Sequence, residues 1–394
     1  MTSARYYLPA MGLINALGHT RHGVSSALFS SDTSGMLLEN GWLEGRAARV
    51  GRVQVPLPPV PDALEPLASR TNQLLLAALA EIKIAVEAAL TKYGRSRIAV
   101  IIGTSNSGIE EGTNAIARVG TGNLVDSAYH YEQQELGTPA LFLARHLGVT
   151  GPAYSISTAC TSSAKVFSAG SRLLQAGICD AVILGGSDAL AKLTVSGFTA
   201  LESTDIALTN PMSRNRKGIN IGEGAALFLL NKEESAIQLL GVGESSDAHH
   251  ISAPHPEGLG AELAMKAALS SANLENNDVD YLNLHGTATP KNDEMESLAV
   301  ARVFPEGVPA SSTKPMTGHL LGAAGASEVA LCWLALQDGR LPPHCWDRKY
   351  DEALPRLSLV ELGQRFGRGS GRVCMSNSFA FGGNNASVLI GDAR

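Results

Sequence analysis

Short apolar runs ending in glycine, serine, threonine or histidine alternate along this chain with longer segments whose apolar residues recur every three or four positions. That alternation constrains the fold more than any other feature. Ile98 to Gly103 (IAVIIG), Ala181 to Gly185 (AVILG) and Val279 to Leu284 (VDYLNL) read as buried strands, because a strand covered on both faces needs no polar alternation. Helical spacing covers about 72–92, 162–176, 260–273, 293–303 and 322–338. Strands alternating with helices predict an α/β chain with mostly parallel sheets. Two stretches interrupt the pattern. Val50 to Pro66 holds five prolines and reads as an extended surface loop; Leu208 to Gly224 (LTNPMSRNRKGINIGEG) lacks helical spacing and reads as a functional loop. IAVIIGTSNSG early and VDYLNLHGTAT late echo each other as strand then polar turn, compatible with an internal duplication.

The 394 residues, 44% hydrophobic and 17% charged, supply ample material for a core and exclude disorder as the main state. A net charge of −6 argues against a broadly basic nucleic-acid face. The cysteines, at 160, 179, 332, 345 and 374, form no CxxC pair and no Cys/His cluster along the sequence, so neither zinc nor a disulfide framework is expected, and a reducing compartment fits. No run of 18 apolar residues occurs, and the start, MTSARYYLPAMGLINALG, lacks the pattern of a cleaved leader. The expectation is a soluble, cytoplasmic protein without a membrane span.

Candidate chemistry concentrates in three places. In STACTSSA, Cys160 stands where an apolar strand turns into an amphipathic helix; unpaired N–H groups and the positive end of the helix dipole would lower its thiol pKa and make it a nucleophile. His285 follows a buried strand in NLHGTATP, and His319 lies in KPMTGHLLGAAG, a glycine-rich turn feeding an alanine-rich helix. In MSNSFAFGGNN, a strand runs into a double-glycine turn whose backbone nest could hold an oxyanion. Taken singly, each has a plainer reading: a small buried thiol, a hydrogen-bonded structural imidazole, an ordinary glycine turn. His249, His250 and His255 cluster, but no carboxylate or cysteine spacing completes a metal site.

Together and in order, TACTSS, DAVILGGSD, GEGAA, HGTATPKNDEMES, STKPMTGHLLGAAGASE and SNSFAFGGNNAS resemble the elongating β-ketoacyl-acyl-carrier-protein synthases, the condensing enzymes of fatty-acid and polyketide assembly. The resemblance covers nearly the whole chain. It implies a duplicated, thiolase-like α/β fold of five layers, αβαβα, with two mixed, mostly parallel sheets. Residues 1–235 would form the half carrying the nucleophile and 236–394 the half carrying the histidines. It further implies Cys160 as acyl acceptor, His285 and His319 as the pair around a malonyl thioester, Lys314 as the cation ordering one imidazole, and an oxyanion hole from the N–H groups of Cys160 and Phe379. Phe379 would also gate malonyl access. Thr287 and Thr289 match the pair that binds the pantetheine arm. Asn283, Glu328, Ser376 and Asn377 match positions around a buried structural cation or ordered water, although Glu328 could equally order Lys314. No bound cofactor is implied, since phosphopantetheine would be a substrate tether. The partners implied are acyl carrier protein, acyl- and malonyl-loaded, and a second subunit: another copy, or a chain-length-factor-like relative lacking the nucleophile.

Departures from the family pattern narrow the resemblance. The loop reads NPMS and then RKGI where fatty-acid relatives have RPFD and RDGF, Asn292 stands where glycine is usual, and GWLEGRAARVGRV is atypical. These features look more like ketosynthases of aryl polyene pathways than housekeeping enzymes. Arg46, Arg49, Arg52, Arg70, Arg214, Arg216 and Lys217 are candidate contacts for an acidic carrier, against a plain reading as solvated charges. A thiolase-type acyltransferase would place a second cysteine where Phe379 and Gly382 stand, and a noncatalytic carrier-binding subunit has no need of Cys160, His285, His319 and Lys314 together.

Overall fold

The computed structural model describes residues 5–119 and 129–393; the first four residues of the segment read above as lacking a leader lie outside the described residues. In chain order the strands are β1 (Tyr6–Ile14), β2 (Met36–Leu43), β3 (Arg46–Gly51), β4 (Ile98–Gly103), β5 (Ala153–Ile156), β6 (Ala181–Asp188), β7 (Ile221–Gly222), β8 (Gly224–Asn231), β9 (Ile237–Ser246), β10 (Tyr281–Asn283), β11 (Pro309–Ser311), β12 (Ser358–Leu359), β13 (Val373–Phe379) and β14 (Asn384–Asp392). The predicted helices are present with ends shifted by up to three residues: Arg70–Tyr93, Ser162–Gln175, Leu259–Ala272, Pro290–Val303 and Ala324–Asp338. The last is preceded by a 3-10 turn, Leu321–Ala323, that accounts for the early start of its predicted range.

The main sheet runs β12-β11-β10-β13-β14-β9-β1-β8-β6-β4-β5. Its order encodes a duplication. β5-β4-β6-β8-β1 has two parallel pairings followed by two antiparallel ones, and β11-β10-β13-β14-β9 repeats that sequence of directions. The repeats join where Tyr6 and Tyr7 of β1 pair Leu239 and Gln238 of β9, so the two expected sheets form one ladder. The sheet is mixed, as expected, but parallel pairs do not predominate. Each repeat ends in two strands that return antiparallel; β13 and β14, for example, are joined by only Ala380–Gly383, too short for a parallel crossover.

Five layers follow from which faces are covered. Helix Arg70–Tyr93 packs on β1, β6 and β8, and helix Leu259–Ala272 on β9 and β14, while helices Ser162–Gln175 and Ala324–Asp338 pack on each other and on strands of both repeats. In β8, Ala226, Phe228 and Leu230 face the central helices and Ala225, Leu227 and Leu229 the outer one, which is why this strand is apolar without alternation. Every residue from Ala324 to Leu336 is buried, as expected of a helix that is small and apolar on all sides.

The two loops read from the sequence are partly structured. Val50 and Gly51 belong to β3, and Asp62–Leu67 is a 3-10 turn. The atypical GWLEGRAARVGRV segment forms most of a β2–β3 hairpin, onto which β7, from within the 208–224 loop, adds in parallel through Val50 and Ile221. That small sheet backs the turn carrying His319.

Candidate active site

Cys160 and His285 stand on turns at the ends of the parallel strands β5 and β10, where open α/β sheets present their crevice, while His319 follows the short helix Lys314–Thr317 and Phe379 closes β13. Cys160 lies between β5 and the first turn of helix Ser162–Gln175, and the preceding Ala159 is held in a left-handed conformation, φ 52°. Ser162 Oγ fixes this kink, donating to Ala159 O (2.5 Å) and accepting from Thr158 N (2.9 Å).

His285 follows β10. Its loop is templated by two buried carboxylates of helix Pro290–Val303: Glu296 accepts from His285 N and Gly286 N, each at 2.7 Å, and Asp293 accepts from Ala288 N at 3.1 Å and Met212 N at 2.7 Å. Burial pushes Glu296 up to about 7 and raises Asp293, while the N–H donors pull both back.

His319 is held by its backbone. His319 N donates to Asn220 O (2.7 Å) and Gly222 N donates to His319 O (3.0 Å), so the turn extends β7. This explains the glycine in GEG: a Cβ on Gly222 would lie 2.2 Å from Thr317 O.

The two halves of the chain bring the three groups together. The ligand atoms of Cys160, His285 and His319 all lie within 4.8 Å of one another, all three residues buried. Cys160 Sγ is 2.9 Å from His319 Nε2, and the imidazole centroids are 5.3 Å apart at 82°. The Phe379 ring stands 6.1 Å from that of His285. These residues line a cavity of about 330 Å³, whose walls include Thr287, Thr289, Phe198, Phe381, Lys291 and Asn292. The hydroxyls of Thr287 and Thr289 are 2.8 Å apart.

Lys314 is the cation of the site and is 1% exposed. Its Nζ donates to both Glu328 Oε1 and His285 O, so it holds the histidine's main chain rather than its ring. Glu328 therefore does order Lys314. Burial, and after it the Lys314 charge, holds both imidazoles well below the usual histidine value, so they are neutral at pH 7.

The expectation of an acidified thiol at Cys160 is overturned. Burial pushes it up to about 12, against the attraction of Lys314 and with Glu328 and Asp188 adding to the rise. Desolvation of a thiolate outweighs the helix terminus here, because Cys160 sits on the floor of an apolar cavity rather than at an exposed helix end. The resting pair is a neutral thiol beside a neutral imidazole.

Of the four residues expected around a cation or ordered water, three have buried oxygens without a partner: Asn283 Oδ1, Glu328 Oε2 and Ser376 Oγ. Asn283 and Ser376 are paired across β10 and β13. An all-oxygen donor set suits a hard cation or a water. Asn377 does not join them through its side chain: strand alternation turns it to the other face, where its Oδ1 accepts from Ser387 Oγ (2.8 Å) and its Nδ2 contacts Met265 Sδ (3.3 Å).

Four of the seven candidate carrier contacts have partners within the chain. Arg70 and Arg52 pair with buried Glu223, and Arg216 pairs with Asp351. Arg49 donates to Ile206 O and Met36 O. Arg46, Arg214 and Lys217 remain exposed. Asp188, Asp293 and Glu296 are site-forming residues that the sequence motifs alone do not single out. Asp188 closing the apolar run AVILGGSD, and Asp293 and Glu296 standing three and six positions beyond HGTATP, are the signal available for them.

Residues 63–236 match the beta-ketoacyl synthase N-terminal domain and residues 237–346 the beta-ketoacyl synthase C-terminal domain. The chain belongs to the beta-ketoacyl synthase family, a family of acyltransferases. Nodulation protein E of Rhizobium meliloti is 37% identical over 256 residues, which cover 62% of this chain and 63% of that protein. 3-Oxoacyl-[acyl-carrier-protein] synthase 2 of Staphylococcus aureus is 36% identical over 265 residues, 62% of this chain and 64% of that one. Each alignment thus spans a little under two thirds of the relative. Among solved structures, the ketosynthase ApeO, in complex with its chain length factor ApeC from Xenorhabdus doucetiae, superposes with TM-score 0.95 at 46% identity over 100% of both chains. The ishigamide ketosynthase/chain length factor superposes with TM-score 0.88 at 25% identity over 99% of this chain and 100% of that one. These findings agree with the family and the five-layer fold expected from the sequence.

Proposed function

We propose that the protein is a β-ketoacyl-[acyl-carrier-protein] synthase that condenses a Cys160-bound acyl chain with malonyl-carrier protein. The observation that carries this is the convergence of Cys160, His285 and His319 within 4.8 Å on the floor of one cavity.

Acyl transfer begins as Cys160 Sγ attacks the carrier thioester and its proton passes to His319 Nε2, 2.9 Å away, then to the departing carrier thiol. With the thiol pushed up to about 12, the proton leaves only as the new C–S bond forms. The malonyl thioester next enters beside both imidazoles. Loss of CO2 places negative charge on the thioester oxygen, and neutral N–H donors stabilise it without first surrendering a positive charge. The enolate carbon attacks the acyl carbonyl, whose oxyanion is assigned to the N–H groups of Cys160 and Phe379, and the C–S bond breaks to release Cys160 as a thiolate, which takes its proton from solvent water. Phe379, against His285, gates the malonyl side. Thr287 and Thr289, lining the cavity, hydrogen-bond the amides of the pantetheine arm. Asn283, Glu328 and Ser376 hold a hard cation or a water whose part is structural; no step passes through it.

The 46% likeness to a ketosynthase solved with its chain length factor supports such a subunit as partner. So does β5, which ends the sheet and has no strand on its outer edge among the described residues. The departures from the fatty-acid pattern favour an aryl polyene or related polyketide substrate. Five free thiols suit a reducing cytoplasm, and no described helix is long and apolar enough to cross a membrane. We divide the chain at 235/236 into a nucleophile-bearing and a histidine-bearing half.

The test is intact mass spectrometry of the protein, alone and with its copurifying partner, incubated with saturated and unsaturated acyl-carrier thioesters and then malonyl-carrier protein. The expected result is an adduct on Cys160 that disappears as a carrier product two carbons longer appears. No adduct from any thioester, or equal product from Cys160→Ala, overturns the reading.

A further inference from the structure

Asp188 ends β6 and is fully buried, yet among the described residues no cation pairs with it. Its carboxylate accepts from four donors on two separate turns. Oδ1 takes Thr104 Oγ1 (2.6 Å) and Asn106 N (2.8 Å) from the turn after β4, Ser105 N of that turn is shared between Oδ1 and Oδ2 (3.0 Å each), and Oδ2 also takes Ala323 N (3.1 Å) from the turn between His319 and the central helix. The first turn reaches the nucleophile, since Ser105 Oγ donates to the carbonyl of Ala159, the left-handed residue before Cys160 (3.2 Å). The second turn presses on the carboxylate itself, and a Cβ on Gly322 would lie 2.7 Å from Asp188 Oδ2 and 2.5 Å from Ser105 N. One acidic group from the first repeat thus joins the segment before Cys160 to the segment after His319 in the second.

We infer that Asp188 is the positioning residue for the Cys160–His319 contact, clamping the two turns so that sulfur and imidazole nitrogen stand 2.9 Å apart. A carboxylate does this because it is an acceptor throughout, with about four lone-pair sites for four donors. Asp188→Asn keeps the volume but turns two N–H groups toward donors, so one of the two turns is released.

The inference concerns the same pair on which the proposed condensation rests, but it can be read without any carrier substrate. Iodoacetamide alkylation of Cys160, followed by peptide mass spectrometry from pH 7 to 10, reports the contact directly, because the imidazole takes the thiol proton as sulfur attacks. His319→Ala should slow alkylation severalfold at pH 8, and Asp188→Asn should slow it comparably while still melting cooperatively. The double variant should be no slower than the slower single variant, as expected of residues acting through one contact. Additive slowing, full-rate alkylation of Asp188→Asn, or indifference to His319→Ala overturns the inference. Should Asp188→Asn fail to fold, Thr104→Val, which removes the 2.6 Å donor to Asp188 together with the acceptor of Ser107 N (3.0 Å), carries the same cycle with a smaller expected effect. Acyl transfer from carrier thioesters is measured in parallel. Its absence in the wild type, with the alkylation cycle as expected, sinks the condensation reading and leaves this one standing.

Discussion

Replacing Lys314 by methionine tests the energetic centre of the site. Lys314 Nζ bridges Glu328 Oε1 and His285 O, and both charged side chains are buried, at 1% and 5% exposure. Removing one partner of such a pair strands the other, at about 3–5 kcal/mol. With an unfolding entropy of roughly 2.1 cal/mol/K per residue, a chain this long loses about 1.2 °C of Tm per kcal/mol, so Lys314→Met should melt about 4–6 °C lower at pH 8. The loss should depend on pH. Burial already lifts Glu328 above the usual carboxylate range and Lys314 draws it back down; without the lysine it rises further. A carboxyl whose folded pKa exceeds its unfolded one is most favourable to folding when protonated, and it costs stability as pH climbs from its unfolded value through its folded one. The variant's deficit should therefore be small at pH 5 and grow toward pH 8, and Lys314→Met with Glu328→Gln should recover most of it without restoring the cation beneath His285. Differential scanning fluorimetry at both pH values reads this. A deficit that is absent, or larger at pH 5 than at pH 8, refutes the reasoning.

Two further predictions follow from the geometry of the histidines. Because both imidazoles are held well below 6.5, malonyl decarboxylation should stay level from pH 8 down through 6.5 and fall only at lower pH as the rings take up protons; an inflection at 6.5 contradicts neutral donors. Gly222→Ala should cost about 1–3 kcal/mol of stability by overpacking and slow Cys160 acylation at least tenfold, since the new Cβ displaces the strand that fixes His319 O; wild-type acylation by a normally melting variant argues that this bond is dispensable.

The alternation of apolar runs and helical segments was enough to place the α/β class and the helices, because burial on both faces leaves a local mark in composition; the duplication was only compatible with the echo of two strand-and-turn motifs and otherwise came from the family resemblance. Cys160, His285 and His319 were legible because each stands in small or glycine-rich residues at a junction between elements, and because the motifs around them together match the family pattern. Other properties are non-local. That Cys160 rests as a thiol depends on the depth of a cavity whose walls come from several segments of both halves. That Arg52, Arg70 and Arg216 pair within the chain depends on Glu223 and Asp351, whose sequence distance hides the pairing. The opposite face taken by Asn377 depends on the pleat of β13, where neighbours in sequence diverge in space. Residue type and spacing determined which groups could react; only the folding of two repeats onto one crevice decided their distances, their hydration and hence their charge, because desolvation and Coulomb energies belong to the assembled surroundings rather than to the chain.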